Sequence, residues 1–278
     1  MKTITDRGMM ASAPGAAEWL RASFDPVPVA GIQPLTTVDF PDLLSAVVFL
    51  QGCNWHCAYC HNPHLRPIRN AAPAIAWDDV RAFLQARRGL LDAIVFSGGE
   101  PTLHAGLPAA LREVRAQGYK IGLHTNGAFP RRIQALLDEG LVDWFGLDVK
   151  APRWLYEPVT GQMGADAAVW ETLRLLLKAG VSFDARTTVY RPALDDEEVL
   201  RMATELRKTG LRALKLQPWR PLSAPGEFIP IEDLSALQAK VNQILAPASK
   251  APNAKRAADS DRSAFAPALA VTAPAAVA

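Results

Sequence analysis

Three cysteines supply the side chains in this sequence best suited to binding a metal centre. Cys53, Cys57 and Cys60 form a C-x3-C-x2-C pattern and are the only cysteines among 278 residues. A disulfide framework needs an even number of cysteines, usually spread along a short secreted chain. Iron–sulfur clusters normally take four thiolates, so three leave one iron open for substrate. The spacing favours such a cluster, and a structural zinc completed by His56 or His61 is the alternative.

Glycines and charged residues elsewhere form three further candidate sites. Gly98-Gly99-Glu100 closes an apolar run, and paired glycines allow the backbone to approach a ligand closely, although glycines also mark ordinary turns. Asp148 and Lys150 alternate along a strand and share one side, where they could bind a zwitterion or form a surface ion pair. The planar guanidinium of Arg186 suits a carboxylate, and an outward-facing strand arginine is the alternative.

The elements that must position these residues alternate along the chain. Short apolar runs predict six strands, at 44–50, 93–97, 119–124, 142–149, 182–189 and 211–217. Helical patterns follow at 77–90, 105–117, 130–139, 166–179, 195–209 and 231–245. Alternating strands and helices indicate βαβ units and a parallel sheet. Because a closed barrel needs eight units, the predicted α/β fold is a partial (β/α)6 barrel or a strongly curved open sheet.

This fold predicts where the chemistry lies. Ligands of parallel α/β proteins gather at the carboxyl ends of the strands. The segment that contains Cys53, Cys57 and Cys60, called here the cysteine loop, follows the first predicted strand. Gly98-Gly99-Glu100 follows the second strand, and Thr125-Asn126-Gly127 follows the third. Asp148 and Lys150 close the fourth strand, Arg186 lies within the fifth, and Gln217 ends the sixth. We therefore expect all of these residues on one rim of the sheet.

Composition sets the outer limits of the prediction. Residues 1–27 read as a flexible segment, 28–245 as the core domain, and 246–278 as a disordered tail rich in alanine and proline. The chain is 49% hydrophobic and carries a formal net charge of +2, too weak a charge to indicate nucleic-acid binding. No apolar run reaches the ~18 residues of a membrane span, and no signal peptide precedes the core, so we expect a cytoplasmic protein.

The same motifs carry a family resemblance. C-x3-C-x2-C with Tyr59 before the last cysteine, followed after a strand by Gly98-Gly99-Glu100-Pro101, resembles the radical SAM (S-adenosylmethionine) superfamily. The string GCNWHCAYCHNP is similar to that of its glycyl-radical-enzyme activators. The stretch from GIQPLTTVDFPD through AVVFLQGCNWHCAYCHNPHL most closely resembles the activating proteins of anaerobic ribonucleoside-triphosphate reductase. The likeness covers roughly residues 31–245.

The resemblance implies an oxidoreductase with one 4Fe–4S cluster on Cys53, Cys57 and Cys60, whose open iron binds SAM. Reductive cleavage would yield methionine and a 5′-deoxyadenosyl radical, which takes hydrogen from a glycine of a large glycyl radical enzyme. Anaerobic ribonucleoside-triphosphate reductase is the implied partner, and a flavodoxin the implied electron donor. The implied SAM-binding residues are Tyr59, Gly98, Gly99, Glu100, Asn126, Asp148, Lys150 and Arg186.

Two departures and two alternatives accompany this resemblance. His124 stands where activators of formate lyase tend to carry an aspartate beside a monovalent cation, and Arg220 stands where they tend to carry a histidine. The alternatives are an activator of the formate-lyase type and a small-molecule radical SAM enzyme similar to 7-carboxy-7-deazaguanine synthase.

Overall fold

The computed structural model describes residues 26–68, 74–221 and 230–247. The predicted flexible segment 1–27 and the predicted tail 246–278 lie outside these ranges, apart from two residues of each. None of the helices in the described ranges has the length and apolar character needed to cross a bilayer.

A seven-stranded sheet, with its strands in chain order, forms the centre of the described chain. Its strands are β1 (Val29–Thr36), β2 (Ser45–Leu50), β3 (Ala93–Gly98), β4 (Lys120–Thr125), β5 (Trp144–Asp148), β6 (Ser182–Val189) and β7 (Lys215–Pro218). Strand β1 pairs with β2 in antiparallel fashion, and every later neighbouring pair is parallel. The predicted partial (β/α)6 barrel is therefore confirmed, with β1 added at one edge.

The helices that cover the sheet are close to the predicted ones. They are α1 (Trp77–Ala86), α2 (Leu107–Ala116), α3 (Pro130–Asp138), α4 (Tyr156–Thr160), α5 (Ala165–Ala179), α6 (Asp196–Thr209) and α7 (Ser235–Leu245). Helix α6 shows why the ends are readable from sequence: Asp195 accepts the Glu198 N–H at 2.8 Å, and Gly210 terminates the helix with φ +103°.

Two elements were not predicted. Strand β1 contains Gly31 and Pro34, residues that weaken a strand pattern, and an edge position tolerates such a proline. Helix α4 is only five residues long and has a proline inside it, so it offers no helical period. Both elements matter below, because each supports one side of the candidate site.

The central strands β2 to β5 bury both of their faces along most of their length, as the apolar runs of β2 and β3 suggest. Alternate side chains pack against the helices on one face, in a large cluster that includes Val48, Phe96 and Leu123. On the other face, Val47, Val95 and Trp144 pack with Phe40 from the loop after β1. This second cluster fills the concave side of the sheet, above which the candidate site opens.

Candidate functional site

A cavity of about 320 Å³ lies at the carboxyl ends of the strands, where the fold predicts ligand binding. Of the predicted site residues, the structure brings to its lining Cys53, Cys57, Tyr59, Cys60, Gly98, Gly99, Asn126, Asp148, Lys150 and Arg186. The cysteines form one side, called here the thiol wall (Cys53, Cys57, Cys60). A second side is the charged wall (His124, Asp148, Lys150, Arg186).

The cysteine loop is held in place by backbone hydrogen bonds from both flanks. Its N–H groups donate to carbonyls of the segment that follows it and of α4, in four bonds: Gly52 to Leu65 at 2.7 Å, Cys53 to Arg66 at 3.0 Å, His56 to Thr160 at 2.9 Å and Ala58 to Val159 at 3.1 Å. Helix α4 therefore supports the loop, although no sequence pattern indicated it.

The three thiols are half-buried and form no disulfide. Burial raises the pKa of Cys53 to about 11 and also raises the pKa of Cys57. Both are therefore protonated at neutral pH, and binding iron would release their protons.

The donor set fits a cluster better than a zinc ion. Among the described residues, no three His, Cys, Asp or Glu side chains converge on a point where they could hold one metal ion. Tetrahedral zinc requires four ligands at roughly 2.0–2.3 Å from a single centre. The two histidines also have other environments than a zinc ligand would: His56 is exposed. His61 lines the cavity, but its Nε2 lies 2.8 Å from the carbonyl oxygen of Arg220. Three thiols that line one cavity without converging suit iron ligands that each bind a different corner of a cluster.

Aromatic side chains pack around the cysteine loop. Trp55 is buried and meets the ring of Tyr156 edge-on, with centroids 6.1 Å apart. The Tyr156 oxygen accepts the backbone N–H of Lys150 at 3.0 Å. Tyr59, which lines the cavity, packs against Tyr190 at 5.4 Å. Tyr156 therefore connects the thiol wall to the charged wall.

The paired glycines allow two loops to approach closely. A Cβ on Gly99 would lie 1.9 Å from the carbonyl oxygen of Gly52, and Gly98 has φ +118°. The Gly99 N–H donates to Leu50 and the Glu100 N–H to Gly52, each at 2.8 Å. These glycines are thus required to pack the turn after β3 against the cysteine loop, and both also line the cavity.

Glu100 is placed differently from the expected direct SAM contact. Its side chain is fully buried and is not among the cavity-lining groups. The carboxylate accepts the Thr125 hydroxyl and the Asn126 N–H, both at 2.7 Å, and also the N–H and hydroxyl of Thr102. Burial raises the pKa of Glu100, and these hydrogen bonds oppose the rise. Glu100 therefore joins the ends of β3 and β4 behind the cavity wall.

Asn126 links the turn after β4 to the cysteine loop. Its Nδ2 donates to Asn54 Oδ1 at 3.3 Å and lies 4.0 Å from Cys53 Sγ. Its Oδ1 accepts the Ala128 N–H at 2.9 Å, which fixes the orientation of the amide. The side chain is thus positioned at the edge of the thiol wall.

The charged wall is built from side chains that bind one another. Asp148 Oδ1 accepts Arg186 Nε at 3.1 Å and Nη2 at 2.8 Å, and Asp148 Oδ2 lies 3.3 Å from Lys150 Nζ. Burial alone would raise the pKa of Asp148, but Arg186 and Lys150 together lower it to about 2. Arg186, expected to bind a ligand carboxylate, is thus already paired with a protein carboxylate. Gly146 makes this possible, because a Cβ there would lie 2.8 Å from the guanidinium carbon.

His124 completes the charged wall as a neutral group. Its Nε2 lies 3.0 Å from the carbonyl oxygen of Asp39 and 3.2 Å from Arg186 Nη1. Burial, and then the adjacent guanidinium, lowers the pKa of His124 to about 4. A neutral imidazole beside a guanidinium offers no anionic ligand to a monovalent cation.

Gln217, which ends the sixth predicted strand and was expected on the rim, lines the cavity. Several other lining residues were not identified from sequence, among them Asp39, Arg66 and Thr188. Thr188 lies near the carboxyl end of β6, so the rim argument could have found it. Asp39 comes from the loop after β1, the strand that the sequence did not predict.

Comparison with known families and proteins agrees with this geometry. A family model described as the Radical SAM superfamily matches residues 47–206. A candidate glycyl-radical enzyme activating enzyme of Methanocaldococcus jannaschii is 32% identical over 206 residues, covering 72% of this chain and 82% of that protein. The 7-carboxy-7-deazaguanine synthase of Methanopyrus kandleri is 28% identical over 216 residues, covering 71% of this chain and 80% of that enzyme.

Solved structures share the fold. The Streptococcus suis protein SuiB bound to S-adenosylmethionine has a TM-score of 0.53 at 14% identity, covering 69% of this chain and 44% of that one. At this level of identity, the likeness concerns the fold alone.

Proposed function

Because this chain belongs to the radical SAM superfamily, we propose that it activates a glycyl radical enzyme, with anaerobic ribonucleoside-triphosphate reductase as the partner. Membership of the superfamily implies a 4Fe–4S cluster and SAM. The proposal adds that three cysteines bind one cluster. It also adds that the 5′-deoxyadenosyl radical takes a hydrogen atom from a backbone glycine of the partner.

One observation carries the proposal: the thiol wall and the charged wall share a single cavity of about 320 Å³. Cys53, Cys57 and Cys60 would hold three corners of the cluster and leave the fourth iron toward the cavity. When bound there, the cluster supplies the electron that cleaves SAM to methionine and a 5′-deoxyadenosyl radical.

The charged wall supplies groups for the methionine end of SAM. Lys150 would pair with the carboxylate and Asp148 with the amino group, because each has the opposite charge. Arg186 would act as a positioning residue, since it donates to Oδ1 of Asp148 and so fixes the orientation of this carboxylate. Gly99, whose backbone packs closely against Gly52 of the cysteine loop, lets the turn after β3 line the same cavity as the thiols.

The choice of a protein partner rests on the motif and the relatives. The string GCNWHCAYCHNP is similar to that of activators, and the Methanocaldococcus jannaschii relative carries the name of such an enzyme. Hydrogen transfer requires near contact between the glycine and the deoxyadenosyl carbon, so the glycine loop would enter at this rim. A flavodoxin would supply the electron.

The second candidate is a small-molecule radical SAM enzyme of the 7-carboxy-7-deazaguanine synthase type. The observation that favours it is the similarity to the Methanopyrus kandleri synthase over 71% of the chain. An activator of the formate-lyase type is the other possible partner assignment within the first candidate.

Electron paramagnetic resonance separates these functions. The reconstituted protein is mixed anaerobically with SAM, a reductant and anaerobic ribonucleoside-triphosphate reductase. We expect a glycyl-radical doublet on the reductase, and no doublet when Cys57→Ala protein replaces the wild type. Formate lyase is tested in parallel as the alternative partner. Turnover of a deazaguanine precursor without any glycyl radical on either enzyme would refute the proposal.

A further inference from the structure

The cysteine loop has a second, outward-facing concavity. It is lined by Cys53, His56, Pro63, Arg66, Pro67 and Ile68, encloses about 580 Å³, and is called here the outer groove. Cys53 belongs both to this groove and to the inner cavity. One thiol of the thiol wall therefore separates the SAM side from an open surface.

The groove is a rigidly held surface. Gln51 Nε2 donates to the carbonyl oxygens of His64 at 3.1 Å and Pro67 at 3.0 Å. Backbone bonds from Gly52 and Cys53 hold the same segment. Two prolines further restrict it, so a partner that binds here orders few additional groups.

The outer groove is complementary in charge and apolar surface to an acidic protein with an apolar contact area. Pro63, Pro67 and Ile68 supply apolar surface, and Ile68 is 58% exposed. Arg66 and His56 are the ionisable groups beside them. Residues 51–68 contain one arginine and three histidines but no aspartate or glutamate. A surface of this kind favours a partner whose rim is negative.

Electron delivery to a cluster in this loop requires access that does not compete with substrate. The inner cavity faces SAM and, in the proposed function, the glycine loop of the partner enzyme. A carrier protein cannot enter there once those groups are bound. At the outer groove, by contrast, a cluster ligand reaches the surface on the opposite side of the loop.

We propose that the outer groove is the docking surface for the electron donor, a small acidic one-electron carrier protein with an exposed apolar edge at its redox group. One electron passes from the reduced carrier to the oxidised cluster, the carrier is oxidised by one electron, and no proton or group is transferred. This inference rests on the reductive cleavage of SAM in the proposed function, and not on the identity of the activated enzyme.

The test compares a protein donor with a small-molecule reductant. In Ile68→Glu, a carboxylate opposes an acidic carrier, and Leu90→Glu is the control because Leu90 is a similarly exposed aliphatic residue outside the groove. Formation of 5′-deoxyadenosine is measured with reduced flavodoxin and with dithionite, and the Kd for oxidised flavodoxin, expected to change in parallel with KM, is measured by calorimetry. For Ile68→Glu we expect about a tenfold higher KM for flavodoxin and an unchanged rate with dithionite. Leu90→Glu should match wild type with both, and salt should raise the wild-type KM for flavodoxin.

The possible failures are distinguishable. An unchanged KM for flavodoxin in Ile68→Glu would overturn the docking proposal, as would an equal rise of this KM in Leu90→Glu, since that would show that the groove is not specific. If wild-type protein with a full cluster cleaves no SAM even with dithionite, the proposed function itself is wrong and the inference falls with it.

Discussion

The two walls of the cavity are built in different ways. The cysteines of the thiol wall are positioned by backbone hydrogen bonds of the loop. The charged side chains instead bind one another, with Arg186 and Lys150 both on Asp148. The backbone bonds of the thiol wall thus hold the cysteines in place for a metal centre that the protein must take up. The charged wall is preorganised before any ligand arrives, so its charges need little rearrangement when a zwitterion binds.

This difference predicts different consequences of mutation. Removing a thiol should abolish binding of the cluster but leave the fold intact, because the loop lies at the rim and its backbone hydrogen bonds remain. Changing the charged wall should alter affinity by degrees, since each group there is supported by several others.

The largest expected effect comes from Cys57→Ala. Iron and sulfide content and 5′-deoxyadenosine formation should fall to background, while the thermal midpoint of the metal-free protein changes little. The reason is the loss of one of only three cysteines in the chain. Near-normal SAM cleavage by this variant would contradict the assignment of the thiol wall.

A second, smaller effect is expected from Gly146→Ala on the charged wall. The new Cβ would lie 2.8 Å from the Arg186 guanidinium carbon and push it away from Asp148. We expect KM for SAM to rise about tenfold, equivalent to ~1.4 kcal/mol, with cluster content unchanged.

Gly31→Ala is the matched control for this change, because a Cβ there meets nothing within 4 Å. It should behave like wild type in SAM cleavage. Equal behaviour of the two variants would show that Arg186 does not position Asp148 for SAM.

Tyr156→Phe tests the connection between the two walls. It leaves the half-buried Lys150 N–H without its acceptor, which should lower the free energy of unfolding by about 1 kcal/mol. Tyr119→Phe removes a comparable bond to the Leu84 carbonyl, at the opposite end of the sheet. Chemical denaturation should show a loss in both, but only Tyr156→Phe should also reduce SAM cleavage. A similar reduction in the Tyr119 variant would mean that general stability limits activity.

The smallest expected effect concerns pH. The pKa of His124 is lowered from 6.5 to about 4 in the folded chain. Between these two pH values the histidine is therefore protonated in the unfolded chain and neutral in the folded chain. The stability contributed by the neutral imidazole is therefore complete above pH 6.5 and is lost as the pH falls toward 4. His124→Gln should flatten this part of the stability profile of the metal-free protein, measured by urea unfolding. An unchanged slope would contradict the lowered pKa of His124.

The sequence predicts the thiol wall well because all of its ligands lie on one loop. Five of the six predicted parallel strands agree with the observed strands to within two residues at each end, since turn residues bound each apolar run. The sixth was predicted from 211 and begins at Lys215, because residues 211–214 form no ladder. Helix α1 similarly ends at Ala86, before the turn that contains Gly89.

The charged wall is harder to predict because its geometry depends on contacts between distant segments. Alternation along the strand pointed to Asp148 and the family resemblance pointed to Arg186, but neither indicated that the two pair with each other across β5 and β6. Likewise, nothing local to Glu100 indicates that Thr125 and Asn126 occupy its carboxylate. Tyr156 was assigned no role, because its function comes from tertiary contacts with Trp55 and Lys150.

The central claim is that a cluster on the thiol wall and SAM on the charged wall meet in one cavity. Its most direct test is the electron paramagnetic resonance spectrum of the reduced, reconstituted protein with and without SAM. We predict the signal of one cluster per chain, whose g values shift when SAM is added because the open iron gains ligands. A spectrum that does not change with saturating SAM, in protein with a full cluster, would contradict the account.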